Sequence, residues 1–253
     1  MSVTSRVADL SSPELLALVR GGSLDDLEVL EVLRSPFCTA QIAELVASDR
    51  EHLGTQSVRE LLAGFPGLSN ARAMNLLSSL PWTSLLAVAQ APRTPPLVRR
   101  QAERKLILQV HSMALGEKVA MARRAHRALF PALVREGDPM ILSALLDNPR
   151  LVENDIVVLV NTREPPPELL GEIVRHHRWG QCFGVRRAVV ECPTSPLPLA
   201  LSVLVQLPPV ELQRIAAKER LPERLRDAAS ALLCRRERGE GPGAGIGNGI
   251  GVG

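Results

Sequence analysis

The sequence predicts an all-α protein, an α-solenoid of about five helical-pair repeats curved as a right-handed superhelix. Three observations lead there. Apolar residues recur at helical rather than alternating spacing, and prolines punctuate the chain between these stripes. The chain also repeats itself: with Pro66 set on Pro193, an offset of 127, forty residues correspond without a gap.

Taken in order, Ser12-Pro13-Glu14 supplies a cap, an early proline and a first-turn acid before LLALVR. Leu24, Leu27, Val29, Leu30 and Leu33 form one apolar stripe, and Ile42, Leu45 and Val46 the next. Pro36, Pro66, Pro81, Pro149, Pro193 and Pro208 fall between stripes. GEKVAMARRAHRALF, residues 116–130, reads as one helix. Asp138-Pro139 repeats the opening cap arrangement before MILSALL. The β-branched run Ile156–Val160 reads as a buried helix, because its counterpart elsewhere is ALSVLV. After Arg238 glycine occupies alternate positions, and 239–253 is expected to be a flexible tail; residues 1–11 are expected to fray.

Within the repeat, Ala73 meets Ala200, Leu77 meets Leu204, and Leu80-Pro81 meets Leu207-Pro208. Leu85 meets Leu212, Val88-Ala89 meets Ile215-Ala216, and Leu106 meets Leu233. A looser copy runs from Pro149 to Pro193, so the unit is about 42 residues long. One helix pair of that length cannot bury its apolar face alone, whereas stacked neighbours share a core. The expected organisation is a single domain over 12–234. Its units lie near 24–65, 66–106, 107–148, 149–192 and 193–234, behind a capping helix at 12–21. Leu77, Leu80, Leu85, Val88, Leu204, Leu207, Leu212 and Ile215 are the predicted core.

Composition narrows the function classes. The formal net charge is +3 and aromatic residues make up 2% of the chain, with no tyrosine. Base-stacking and sugar-binding surfaces draw on aromatic faces, and dedicated nucleic-acid binders carry a larger basic excess. The N-terminus lacks an apolar signal-peptide core, and the uncharged stretch 73–92 is interrupted by Pro81 and polar residues, so no membrane association is expected. Four dispersed cysteines without a C-x-x-C pair fit a cytoplasmic protein with reduced thiols.

VRRAVVECPTSPLPLALSVL, residues 185–204, resembles the variant leucine-rich repeat, with Arg186, Ala188, Pro193, Thr194, Pro196 and Leu201 at or near its expected places. Asn148-Pro149 carries a similar N-P motif. The resemblance implies alternating helices without strands, close to HEAT-like repeats, over 140–233 and more weakly over 24–106. Leu115–Arg124 is similar to the L-G-E-K-x-A-x-A-R-R segment of bacterial helical-repeat proteins; that likeness implies no activity. One variant leucine-rich protein holds an iron–sulfur cluster on an N-terminal cysteine-rich segment; this chain has one cysteine before residue 180, so the cluster is not carried over.

The most suggestive chemistry lies at Arg175, His176, His177, Arg178 and Trp179, followed by Cys182, Arg186, Arg187 and Cys192. Imidazoles and thiols are zinc donors, and imidazoles beside arginines favour phosphate. Adjacent histidines point apart on a helix and the spacing matches no recurring metal motif, so no metal or cofactor is expected. The bland alternative is that Trp179 fills a gap between units while the cations stand in solvent. Arg59, Arg99, Arg186 and Arg226 recur at one place in four units, as a phosphate ladder or as a fastening of unit to unit. Glu168 and Glu172 share a helix face, but no nucleophile, P-loop or metalloprotease motif is present, and Trp82 and Trp179 fall in different units rather than forming a glycosylase-like surface. The expected function is therefore a non-enzymatic scaffold holding a protein or peptide partner on its concave surface. Nucleic-acid backbone binding by the arginine-rich face is the alternative.

Overall fold

The computed structural model describes residues 7, 10–22, 24–49, 51–162 and 165–238. The predicted tail 239–253, and all of 1–11 except 7, 10 and 11, lie outside these residues. The described chain contains sixteen α-helices and no strand. It divides into two compact units, residues 1–113 and 114–253.

Unit 1 holds α1 (Ser12–Arg20), α2 (Asp26–Arg34), α3 (Ala40–Val46), α4 (Gln56–Ala63), α5 (Asn70–Ser79), α6 (Trp82–Gln90) and α7 (Pro96–Gln109). Each is short because a capping residue recurs every dozen or so positions: Ser11, Asp25, Thr39, Thr55, Ser69, Pro81 and Pro95. Asp25 accepts the Glu28 N–H at 2.7 Å, while Glu28 accepts the Asp25 N–H at 3.1 Å, a reciprocal satisfaction of orphan donors. Ser11, one residue earlier than the sequence suggests, caps α1; Glu14 accepts its N–H at 2.8 Å.

Helices in unit 1 pack against their second neighbours (α1 on α3, α2 on α4, α4 on α6, α5 on α7) as well as within the hairpins α4–α5 and α6–α7. The buried face of α2 is Val29, Val32 and Leu33. Leu27, expected inside, is 67% exposed. A 3.6-residue period carries Val32 rather than Leu27 onto the face shared with Val29 and Leu33.

Unit 2 holds α8 (Leu115–Arg124), α9 (Phe130–Arg135), α10 (Pro139–Leu146), α11 (Glu153–Val160), α12 (Pro167–Arg175), α13 (Phe183–Glu191), α14 (Leu197–Leu204), α15 (Pro209–Ala216) and α16 (Glu223–Glu237). Each of α10–α16 begins 127 positions after the corresponding member of α1–α7, from Ser12 and Pro139 through Pro96 and Glu223. The internal correspondence therefore covers seven helices, well beyond the forty residues first aligned. Core positions follow it: Leu15 and Leu142, Val29 and Ile156, Ile42 and Leu169, Leu62 and Val189, and Leu85 and Leu212 are all fully buried. Second-neighbour packing also recurs, in α8 on α10, α10 on α12, α11 on α13 and α14 on α16.

Two expectations change. Each stretch of about 42 residues contains three α-helices rather than two, because caps divide what apolar spacing alone reads as longer elements. The segment 116–130 is not one helix: α8 ends at Arg124, and a 3-10 turn over Arg127–Leu129 leads into α9. Pro131, in the first turn of α9, would lose a hydrogen bond and clash in the interior of a continuous helix. The run Glu153–Val160 is helical, as read, and all eight predicted core residues are at most 4% exposed. No helix among the described residues is long and apolar enough to cross a membrane.

Candidate functional site

In unit 1 the C-terminal ends of α2, α4 and α6, which pack in succession, open onto one groove of about 760 Å³. Leu33–Pro36 and Cys38 form one wall, Glu60, Leu61 and Gly64–Pro66 the middle, and Ala87, Val88 and Ala91–Thr94 the other wall. Apolar and small side chains dominate, with Arg34, Arg93 and Glu60 as the charged lining. Three helix ends contribute partial negative charge and carbonyl acceptors to its floor.

Gly64 lets the α4 end approach the wall that carries Thr94. A Cβ there would stand 2.8 Å from Thr94 Oγ1, closer than packed atoms allow. That hydroxyl is buried and has no hydrogen-bond partner among the described residues. The wall carrying Thr94 is held from behind by Arg99, whose Nη2 donates to the carbonyls of Ala91, Pro92 and Thr94 at 3.4, 3.3 and 3.2 Å. Burial of the Cys38 thiol pushes its pKa up to about 11, so the wall presents a protonated, slowly reacting thiol at neutral pH.

The repeat places a second groove at the same register in unit 2, on α13 and α15, with about 470 Å³ of space. Arg187, Glu191, Arg214 and Lys218 line it where unit 1 has Glu60, Gly64, Ala87 and Ala91. Its charges engage one another: Lys218 Nζ lies 2.7 Å from Glu191 Oε2, and Arg214 Nη1 lies 2.9 Å from Glu211 Oε1. The same backbone pattern thus carries an apolar groove in one copy and a charged one in the other.

The residues singled out from the sequence at 175–187 take up other positions. Trp179 is 1% exposed, and its Nε1–H donates to the Leu146 carbonyl at 2.8 Å, satisfying an orphan acceptor at the end of α10. His176 lies between α12 and that same end, with Nε2 at 3.1 Å from Asp147 Oδ1 and Nδ1 accepting the Arg178 N–H at 3.2 Å. His177 stacks on His176 with centroids 4.5 Å apart, and the Arg178 guanidinium lies 4.0 Å over the Trp179 ring. Arg175 pairs with Glu172 at 2.6 Å, and Arg187 stands 6.0 Å from the Phe183 ring centroid. Among the described residues no group of three or more His, Cys, Asp and Glu side chains converges to hold a metal ion.

The four recurrent arginines occupy the fourth residue of α4, α7, α13 and α16, and all are half-buried. Arg186 repeats the behaviour of Arg99: its Nε donates to the Gly180 carbonyl at 2.6 Å, and its Nη2 to Gln181 Oε1 at 2.6 Å. Both therefore fasten the loop that precedes their own helix. Among the described residues Arg59, Arg99 and Arg226 each bury an Nε without a hydrogen-bond partner.

Sequence reasoning missed the groove, although its signal stands in the 127-residue alignment, where Gly64, Ala87 and Ala91 oppose Glu191, Arg214 and Lys218. Comparison of the chain with protein-family models, curated proteins and solved structures finds no match in any of the three.

Proposed function

We propose that the chain is a non-enzymatic scaffold of stacked helical repeats, kin to HEAT-like and variant leucine-rich arrays, whose unit-1 groove holds a protein or peptide partner. The observation that carries this reading is the groove itself: about 760 Å³, mostly apolar, and walled by three successive helix ends. Its size suits several side chains of a partner. Second-neighbour packing within each unit and the seven-helix register support the stacked-repeat part, because a helix that packs on its second neighbour shares its core along the chain.

The variant Ala87→Arg/Ala91→Lys tests it by giving unit 1 the side chains that unit 2 carries at the same places. Both alanines are half-buried at the groove wall, so the fold tolerates longer side chains there. A partner recovered on the immobilised wild-type chain should be lost on this variant. Equal recovery on both would overturn the groove as the binding site. Gel shift of DNA and RNA probes at about 50 mM salt separates the nucleic-acid alternative, which demands a shift that falls steeply as salt rises. We expect none.

A further inference from the structure

In unit 2 the place of Gly64 is taken by Glu191, whose carboxylate reaches Lys218 at 2.7 Å and Arg220 at 3.8 Å. Unit 1 keeps a cation where unit 2 has Arg220, namely Arg93, and drops the carboxylate. Arg93 and Arg34 line the groove, are exposed, and make no ion pair among the described residues. Between them lies a trough of Leu61, Phe65, Ala87 and Val88. One copy of the pattern therefore pairs the cations of its groove with its own acid, and the other leaves the basic rim without that acid beside an apolar floor.

We propose that the partner of the unit-1 groove is a short segment bearing an apolar side chain next to an aspartate or glutamate. This rests on the groove being the binding site. The apolar side chain enters the trough, and the carboxylate sits at the rim with Arg34 and Arg93, replacing the carboxylate that Glu191 provides in unit 2. The helix ends fix this order: their partial negative charge makes the floor unfavourable for an anion, while the rim guanidiniums attract one. Glu60, on the α4 side of the groove and half-buried, acts in the same sense. Salt weakens the rim contact more than the trough contact, because exposed charges are screened.

The test is selection of short random peptides displayed on phage against the full chain, screened in parallel against Ala87→Arg/Ala91→Lys. Binders that need the open groove should weaken at least about tenfold on that variant, although it adds positive charge. Peptides held by charge alone would gain. The groove-dependent binders should be enriched in an acid adjacent to Leu, Ile, Val, Met or Phe. On Arg34→Glu/Arg93→Glu, whose exposed positions leave the fold intact by circular dichroism, they should weaken at least about tenfold again, and analogues with lysine for the acid should regain binding. Groove-dependent binders with basic or uncharged flanks would overturn the proposed chemistry while leaving the groove as the binding site. Absence of any groove-dependent binder would overturn both.

Discussion

Asn148 offers the most demanding test of how unit 2 is held together. Its side chain is fully buried, and Nδ2 donates to the carbonyls of Ala122 and Ala125 at 2.7 and 2.9 Å. These are acceptors at the end of α8 that the helix itself cannot satisfy. Oδ1 in turn accepts the Arg150 N–H at 2.8 Å. Asn148→Ala removes three hydrogen bonds and orphans two carbonyls and one N–H. At about 1 kcal/mol for each buried group left unsatisfied, the loss is about 3 kcal/mol, reduced where water enters the space vacated. With a slope of about 2–3 kcal/mol per molar urea, the midpoint falls by about 1 M. Asn148→Asp has nearly the same volume but replaces two donors with a carboxylate facing two carbonyl oxygens, so it should be less stable than the alanine variant at neutral pH. Urea unfolding followed by far-ultraviolet circular dichroism measures both. An alanine variant within about 0.5 kcal/mol of wild type, or an aspartate variant as stable as the alanine one, would refute the assignment of these bonds as the fastening of α8 to α10.

Leu77→Ala and Leu204→Ala occupy equivalent core positions and should each lose about 2–5 kcal/mol in the same denaturation assay; a loss under about 1 kcal/mol in either would break the equivalence of the two copies. Cys38, with its pKa near 11 against an ordinary 9.0, should be alkylated by iodoacetamide at neutral to mildly alkaline pH about tenfold more slowly than a free peptide thiol, since scarcity of thiolate outweighs its greater nucleophilicity. The Ser69 N–H, at 2.6 Å from Glu44 Oε1, together with Arg72 holds the Glu44 carboxyl below its ordinary 4.5. Its contribution is therefore present above that value and lost as pH falls through the depressed one, so the stability gap between wild type and Glu44→Gln should close on acidification; a gap constant from pH 7 to the acid limb would count against it.

Much of the fold was legible because the strongest signals were periodic. Eight core positions came from apolar spacing and the repeat, and each is buried. The helix count was not legible from apolar residues alone. Caps such as Thr39 and Thr55, or Pro166 and Pro196, divide stripes that look continuous, and a proline at the N-cap carries no hydrophobic signature. The break after Arg124 has Pro131 as its local signal, but its fastening comes from Asn148, over twenty positions away, whose amide takes the carbonyls of Ala122 and Ala125. The site was read least well. Trp179 and His176 stand out in a chain poor in aromatics, yet their polar atoms are engaged at the end of α10. Gly64, Ala87 and Ala91 carry no functional group, and what they create is space.

The contrast between the two copies locates where constraint relaxes in this chain. Equivalent core residues differ by little in volume, as Val29 does from Ile156 or Leu62 from Val189, because a close-packed interior tolerates little else. At the groove the exchanges are Gly64 for Glu191, Ala87 for Arg214 and Ala91 for Lys218, which no packed interior would accept. Packing accounts for Gly64, where a Cβ would stand 2.8 Å from Thr94 Oγ1, but it leaves the half-buried Ala87 and Ala91 free to differ. In unit 2 the large residues stabilise themselves by pairing, with Glu191 serving two cations. Unit 1 forgoes that pairing and instead lines its groove with apolar floor and two exposed guanidiniums that make no ion pair among the described residues. An exposed apolar trough gains nothing for the isolated chain, since its burial against water is the favourable step. In the proposed complex the partner's apolar side chain covers this trough and removes it from water.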